Sequence, residues 1–337
     1  MNRSSLTLLL LGVAVVALLP CGLFVGSVSI PAREVWEILC GRGAEGGAAE
    51  FIVLQSRLPQ TITALLGGAS LAVAGLLLQT AFRNPLAGPS ILGITSGASL
   101  GVALVMLAGG GTIAAGAVSL GGFAATVTAA AVGAFAVMGL LLMLSAMLRN
   151  DLMLLITGII LGYLTSSVIT LLNYFTTASN IQAYTMWGMG TFANVGCDRL
   201  PFFAGGCLMG LVLSVMLVKP LDLLLLGDGY ARNLGVNLVR VRNLLLLATG
   251  ILTAVVTAYC GPVSFIGLAV PHIARLLAGT DRHAVLLPAT MLSGAVVALG
   301  CNICTTLPSS GLLPLNALTP VVGAPVILYV ILRHRGR

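Results

Sequence analysis

Long apolar runs separated by short polar segments recur from one end of the chain to the other. A bilayer core about 30 Å thick requires about 20 consecutive apolar residues in a helix. The pattern therefore predicts an all-α, polytopic membrane protein with about ten transmembrane helices. The predicted helices cover residues 5–28, 60–82, 91–109, 115–148, 152–175, 200–219, 241–260, 262–278, 284–303 and 313–332.

Composition agrees with this pattern, because 58% of the residues are apolar and only 7% are charged. Globular proteins carry about 25% charged residues. The first run has an alternative interpretation as a signal peptide, since Arg3 precedes it and "LLPCG" around Cys21 resembles a lipoprotein cleavage site. The proline before Cys21 and the length of the run favour a retained helix.

The distribution of basic residues predicts the orientation of the chain. With a cytoplasmic N-terminus, 12 of the 16 basic residues fall in inner segments, and only Arg33, Arg42, Arg57 and Arg199 fall outside. The positive-inside rule therefore places both termini in the cytoplasm. The basic charge reflects membrane topology and gives no reason to expect nucleic-acid binding.

The chain reads as one transmembrane domain over residues 1–337, with a long inner polar segment at 219–242. Gly227, Gly229 and Gly235 are expected to divide this segment into two short helices. A solvated connecting loop is the plain interpretation, but a loop of this length with its own apolar pattern favours a partner-binding surface. An outer segment at 176–200 predicts a short interfacial helix anchored by Tyr184 and Trp187.

The sequence lacks the residues that catalysis or ATP binding would require. Lys219 is the only lysine and stands between Val218 and Pro220, so a phosphate-binding G-x-x-x-x-G-K-[ST] loop is excluded. His272, His283 and His334 form no zinc-binding H-E-x-x-H motif. The C-x-x-C of Cys301 and Cys304 has no second pair, which favours buried small side chains over a metal or redox site.

Ion-coupled transport is a second functional class to weigh. All nine acidic residues fall in or beside predicted loops. Proton-coupled carriers place ionisable residues within the membrane, so this class is disfavoured, although backbone carbonyls can bind Na⁺. A third class is a membrane interaction protein with no cargo.

Four long motifs identify a family. The stretches "QTAFRNPLAGPSILGITSGASLG" and "GPVSFIGLAVPHIARLLAGTDRHAVLLPATMLSGA" resemble the FecCD/BtuC-like permeases of type II ABC importers, which carry iron–siderophore, haem and cobalamin chelates. "GDGYARNLGV" is similar to the coupling segment of that family, and "LPLNALTPVVGAPVILYVILRHR" to its closing helix. The resemblance extends over nearly the whole chain.

The resemblance implies a homodimer with the path between the copies, two cytoplasmic ATPase subunits and an extracytoplasmic binding protein. ATP and Mg²⁺ would be bound by the ATPases, and this chain would hold no cofactor or metal. The segment 219–242 would dock on the ATPase as coupling helices. The residues expected to contribute to coupling are Asp228, Ala231, Arg232, Leu234, Gly235 and Val236.

The resemblance also implies a docking site for the binding protein. Arg57 matches the first arginine of the family's R-L-P-R motif, but Gln60 stands at the second. Near the end of the ninth predicted helix, uncharged residues replace the family's charged and glycine positions. These residues are Asn302, Thr305 or Thr306, Leu312 and Asn316. Docking is therefore expected to depend less on salt bridges, or on Arg33 and Arg199 instead.

An inner gate is expected where Pro85 and Pro89 stop the second helix. Asn84, Pro85 and Leu86 would narrow the exit, while a plain re-entrant turn is the simpler alternative. Pro271, His272 and Arg275 are expected to have a structural role at the inner mouth.

Together these features predict a non-catalytic permease subunit in a bacterial inner membrane. It would import a metal chelate by alternating access, with an iron–siderophore as the favoured cargo and cobalamin or haem as rivals.

Overall fold

A computed structural model describes residues 3–42, 47–110, 112–115, 118–147, 151–308 and 313–334. Each of the ten predicted runs contains an apolar helix in this structure. Within the described residues, six helices are long and apolar enough to cross a membrane, a bent pair of helices gives a seventh span if counted as one, and three further apolar helices are shorter. The prediction of an all-α bundle is therefore confirmed.

The helices are labelled in chain order. Those of the first half are α1 (Arg3–Phe24), α2 (Ala32–Leu39), α3 (Ala48–Ala81), α4 (Ile94–Ala108), α5 (Gly122–Met147) and α6 (Asp151–Phe175). Those of the second half are α7 (Ala178–Gly188), α8 (Leu200–Met216), α9 (Val218–Leu225), α10 (Asp228–Asn233), α11 (Leu238–Cys260), α12 (Ile266–Ala278), α13 (His283–Thr306) and α14 (Leu315–His334). Helix α3 contains a π-helical turn at Ile52–Arg57, and α4 ends in another at Leu104–Ala108.

The fourth predicted helix begins later than expected. Residues 115–121 were expected to be helical, but Thr112–Ala115 (β1) and Val118–Gly121 (β2) form an antiparallel hairpin. Gly122, with φ of 59°, then starts α5. Glycine adopts this left-handed conformation without steric cost, so it separates the hairpin from the helix.

Helix α3 is the centre of the bundle and packs against α8, α11, α12 and α13. Small residues allow these helices to approach closely. A Cβ atom added at Gly68 would lie 2.4 Å from the carbonyl oxygen of Gly294 on α13, and one at Gly75 would overlap the carbonyl of Gly267 on α12. In a bilayer, where helix association depends on packing, such contacts hold the bundle together.

Two breaks in helical structure meet inside the bundle. The first, between α3 and α4, includes Arg83 with φ of 45°, and the second, between α11 and α12, ends at Phe265 with φ of 66°. A Cβ atom added at Gly267, the second residue of α12, would lie 2.7 Å from Cδ of Pro89, and residues 88–90 and 263–265 line one small cavity, so the two breaks face each other. Irregular backbone at membrane depth is tolerated where protein buries it or where it lines a water-filled cavity. Residues 87–89 of the first break are buried, whereas Arg83, Pro85 and Leu86 are exposed.

We call the end of the bundle that carries residues 83–93, 218–236 and 279–283 the inner end, following the predicted orientation. There, α9 and α10 are the two short helices expected from the glycine pattern. Gly227 and Gly235 take positive φ angles of 103° and 83°. These two glycines provide the turns before and after α10, whereas Gly229 lies within it.

The opposite, outer end carries α2, the hairpin and α7. Helix α7 confirms the predicted short helix, but the interfacial anchor assigned to Trp187 is wrong. Its side chain is only 9% exposed and stacks on Tyr184, with ring centroids 6.1 Å apart. Burial raises the pKa of the Tyr184 phenol, an effect that a hydrogen bond with Ser99 partly offsets, so the phenol stays neutral.

Candidate gate and coupling site

The segment after α3 forms a compact turn at the inner end. The N–H of Asn84 donates to the Gln79 carbonyl at 3.2 Å, and Asn84 Oδ1 accepts the N–H of Leu86 at 2.9 Å. This second bond is the local side-chain contact typical of asparagine in turns. Pro85 is exposed, and the Leu86 side chain is 44% exposed, so both lie on the surface of the chain.

Helix α12 is hydrogen-bonded to this turn and to the end of α3. His272 Nε2 donates to the Pro85 carbonyl oxygen at 2.7 Å, which places the proton of a neutral ring on that nitrogen. Arg275 donates to Gln79 Oε1 at 2.6 Å, and its Nε lies 3.6 Å from Asp281. Pro271 is buried within α12. The residues expected at the inner mouth therefore lie against the expected gate.

The coupling residues divide into buried and exposed positions. Ala231 is fully buried and Val236 is partly buried against the inner core. Arg232, Leu234 and Gly235 are exposed. Asp228 begins α10, and its side chain lies outside the described part of the chain. The exposed apolar side chains of this segment form a surface made of Leu225, Leu226, Tyr230 and Leu234.

One inner cluster was not anticipated from the sequence. Asp222 Oδ1 accepts hydrogen bonds from the backbone N–H of His283 at 2.6 Å and from Nδ1 at 2.9 Å. His283 Nε2 lies 2.9 Å from the hydroxyl of Thr80. The three residues lie on α9, α13 and α3, so no short-range pattern in the sequence signals their contact.

The expected docking residues lie inside the outer end. The Arg57 side chain is 6% exposed, and its guanidinium donates to the carbonyls of Leu23 and Phe24 in the last turn of α1 and of Val28 beyond it. Gln60 is buried and its Nε2 donates to Asn302 Oδ1 at 2.9 Å. Contact with a binding protein would require both side chains to leave these partners, so their burial is at odds with the expected docking role.

The two departures from the family motif thus contact each other. Gln60 stands where an arginine was expected, and Asn302 where a charged residue was expected. A neutral amide pair satisfies both buried groups at this position. Asn316, another departure, joins three segments, because Nδ2 donates to the carbonyls of Gly188 and Pro262 and Oδ1 accepts the N–H of Ser264. Leu312 lies outside the described residues.

An apolar cavity of about 560 Å³ opens at the outer end between α7 and the start of α5. Met106, Met186, Met189, Phe123 and Trp187 provide most of its large side chains. Flexible thioethers adapt to ligands of varied shape.

The described residues contain no group of three or more His, Cys, Asp or Glu side chains that could hold a metal ion. Cys301 is buried, as expected, but Cys304 is exposed, and both are free thiols.

Comparison with known proteins gives one consistent match. The model of the FecCD transport family matches residues 7–333. The vitamin B12 import system permease protein BtuC of Klebsiella pneumoniae is 37% identical over 328 residues, which cover 92% of this chain and 90% of that protein. The protein of the same name from Salmonella arizonae is 34% identical over 319 residues, with coverages of 91% and 90%.

A solved structure matches over its full length as well. It is an inward-facing conformation of a transporter assigned to the metal-chelate type of ABC transporter. Its sequence is 30% identical to this chain and its TM-score is 0.84, with 97% of this chain and 98% of that chain covered.

Proposed function

Because the chain belongs to the FecCD transport family, we propose that it is the membrane-spanning subunit of an ATP-driven importer in a bacterial inner membrane. The family match over residues 7–333 carries this proposal. The absence of a phosphate-binding loop from the sequence agrees with a non-catalytic subunit. Two partner ATPases would bind ATP and Mg²⁺, a second copy of this chain would complete the path, and an extracytoplasmic protein would deliver the cargo.

The cargo that we propose is a metal chelate. The sequence motifs favoured an iron–siderophore complex, whereas the named relatives at 34–37% identity import vitamin B12. A cobalamin is therefore the first candidate to test and an iron–siderophore complex the second.

The proposed mechanism is alternating access. ATP binding to the ATPases would move α9 and α10. The ATPases would contact these helices at the exposed apolar surface that carries Tyr230 and Leu234. The gate turn around Asn84 and Leu86 would then open or close at the interface between two copies. A rigid-body shift of this kind needs packed elements between the two regions, and α3 supplies them, because it contacts α9 and ends at the gate turn.

Reconstitution in liposomes tests the function. With the ATPase inside, the binding protein outside and ATP supplied, we expect accumulation of labelled cobalamin or of a labelled iron–siderophore complex. Omission of ATP or of the ATPase should abolish accumulation. Uptake by this chain alone, driven by a proton or sodium gradient, would instead identify an ion-coupled carrier and reject the proposal.

A further inference from the structure

Asp222 caps the start of helix α13 from a different segment of the chain. Its Oδ1 accepts the backbone N–H of His283, the first residue of α13, at 2.6 Å. The first N–H groups of a helix have no partner within the helix, and negative charge is favourable at this end. The coupling segment is thereby attached to a membrane helix through a charged and directional contact.

The His283 ring extends this contact to α3. Nδ1 donates to Asp222, so in the neutral ring Nε2 is free to accept the Thr80 hydroxyl proton at 2.9 Å. His283 is 1% exposed and Thr80 is buried as well. Hydrogen bonds in such an environment are strong and costly to leave unmade. The result is an unbroken polar connection from α9 to the last turn of α3.

Thr80 occupies a position from which movement would reach the gate. Helix α3 ends at Ala81, and the left-handed residue Arg83 begins the gate turn directly afterwards. The side chain of the neighbouring Gln79 accepts a hydrogen bond from Arg275 and donates one to the Leu268 carbonyl at 3.1 Å. The end of α3 is therefore held on one side by α12 and on the other by His283.

Packing supplies a second, non-directional contact between the same elements. Leu221, the residue before Asp222, is fully buried in a cluster with Val73, Ala74 and Leu77 of α3. Packing of this kind is non-directional, whereas the hydrogen bonds between the carboxylate and the imidazole fix both the distance and the orientation of the two elements. The polar connection is the part that would convert movement of α9 into movement of α3.

We propose that Asp222, His283 and Thr80 are positioning residues that transmit displacement of the coupling segment to the gate turn. This inference rests on the proposed function and assigns a residue path to its coupling step. The residues contact neither ATP nor cargo, so their removal should separate ATP hydrolysis from transport.

The test uses the complete reconstituted complex with Thr80→Val and Asp222→Asn. Valine preserves the shape of threonine without its hydroxyl, and asparagine preserves that of aspartate without its charge. For each variant, the number of cargo molecules transported per ATP hydrolysed is measured beside the amount of assembled complex. We expect this ratio to fall by up to about tenfold, because Thr80→Val removes one buried hydrogen bond and Asp222→Asn removes the charge that strengthens two others, with assembly unchanged.

Thr290→Val is the matched control. Thr290 is a buried threonine of α13 whose hydroxyl donates to the Leu286 carbonyl within the same helix at 2.7 Å. It lies on the same helix as His283 but contacts no residue of the coupling segment through this hydroxyl. The transport ratio of this variant should equal that of the wild type.

The double variant provides a further readout. Residues on one path couple, so Thr80→Val combined with Asp222→Asn should lower the ratio no further than the stronger single change. An unchanged ratio in the single variants, an equal fall in Thr290→Val, or additive effects would overturn the proposal. If a variant assembles less complex but the complex that forms transports the normal number of cargo molecules per ATP, the residue has a purely structural role and the proposal is overturned. Failure of the wild-type complex to use ATP would instead contradict the proposed function.

Discussion

The outer end of α3 illustrates how single side chains satisfy buried polar groups in this bundle. Arg57 supplies donors to carbonyls in the last turn of α1, which have no partner within the helix. A Cβ atom added at Gly26 would lie 2.8 Å from the Arg57 guanidinium, so the chain passes closely around this side chain. Arg57 therefore connects α1 to α3 in the conformation described.

We predict that Arg57→Lys destabilises the protein by about 2 kcal/mol, because a single ammonium group cannot reproduce the spread of guanidinium donors. The midpoint of thermal unfolding in detergent measures this loss. Arg33→Lys is the control, since the Arg33 side chain is 90% exposed and pairs with Glu37 in the next turn of its helix. Unchanged stability of Arg57→Lys, with weaker affinity for the binding protein, would support the docking role instead.

At the scale of secondary structure, glycines mark the ends of α10 and separate it from α9, and one face of these short helices is exposed. Ala231 and Leu221 are fully buried toward the bundle, while Tyr230 and Leu234 are 69% and 59% exposed. An exposed apolar face on short helices is typical of a surface that binds a partner. Arg232 adds a positive charge at its edge.

Replacement of Leu234 by aspartate should weaken association with the ATPase by at least about tenfold, because a buried apolar contact would be replaced by a charge. Charge reversal by Arg232→Glu should act in the same direction. Affinity of the purified permease for the ATPase provides the measurement. Leu307, 61% exposed at the outer end, gives the control Leu307→Asp. Equal affinities for Leu234→Asp and the control would exclude this surface from the ATPase contact.

At the scale of the whole molecule, the break after α3 faces the second break and the start of α12 inside the bundle. The small residues of α3 bring α12 and α13 close enough to support the gate turn through His272, Arg275 and His283. A turn held in this way by several elements moves when they move. The proposed gate would thus depend on the assembled bundle, with the exposed Leu86 as its expected contact with a second copy.

In the proposed homodimer, Leu86→Cys should form a disulfide between copies on oxidation and block transport until reductant is added. A disulfide requires Cα atoms about 4.4–6.8 Å apart, so it reports a narrow gate. The background variant has serine at the exposed Cys21, Cys40 and Cys304. Cysteine at exposed Leu225 on α9 serves as the control. Efficient cross-linking without any block of transport would identify a plain re-entrant turn.

Local patterns were sufficient to predict the apolar helices and the division of the inner segment into α9 and α10. Hydrophobic runs reflect the thickness of the bilayer, and glycines mark turns wherever they occur, so neither feature depends on distant residues. Tertiary structure decided which side chains are buried and which meet. It placed Trp187 and Arg57 inside, paired Gln60 with Asn302, and joined Asp222, His283 and Thr80 across 61 and 203 residues of sequence. Such contacts depend on how helices pack, and the sequence of one helix does not specify which other helix will lie against it.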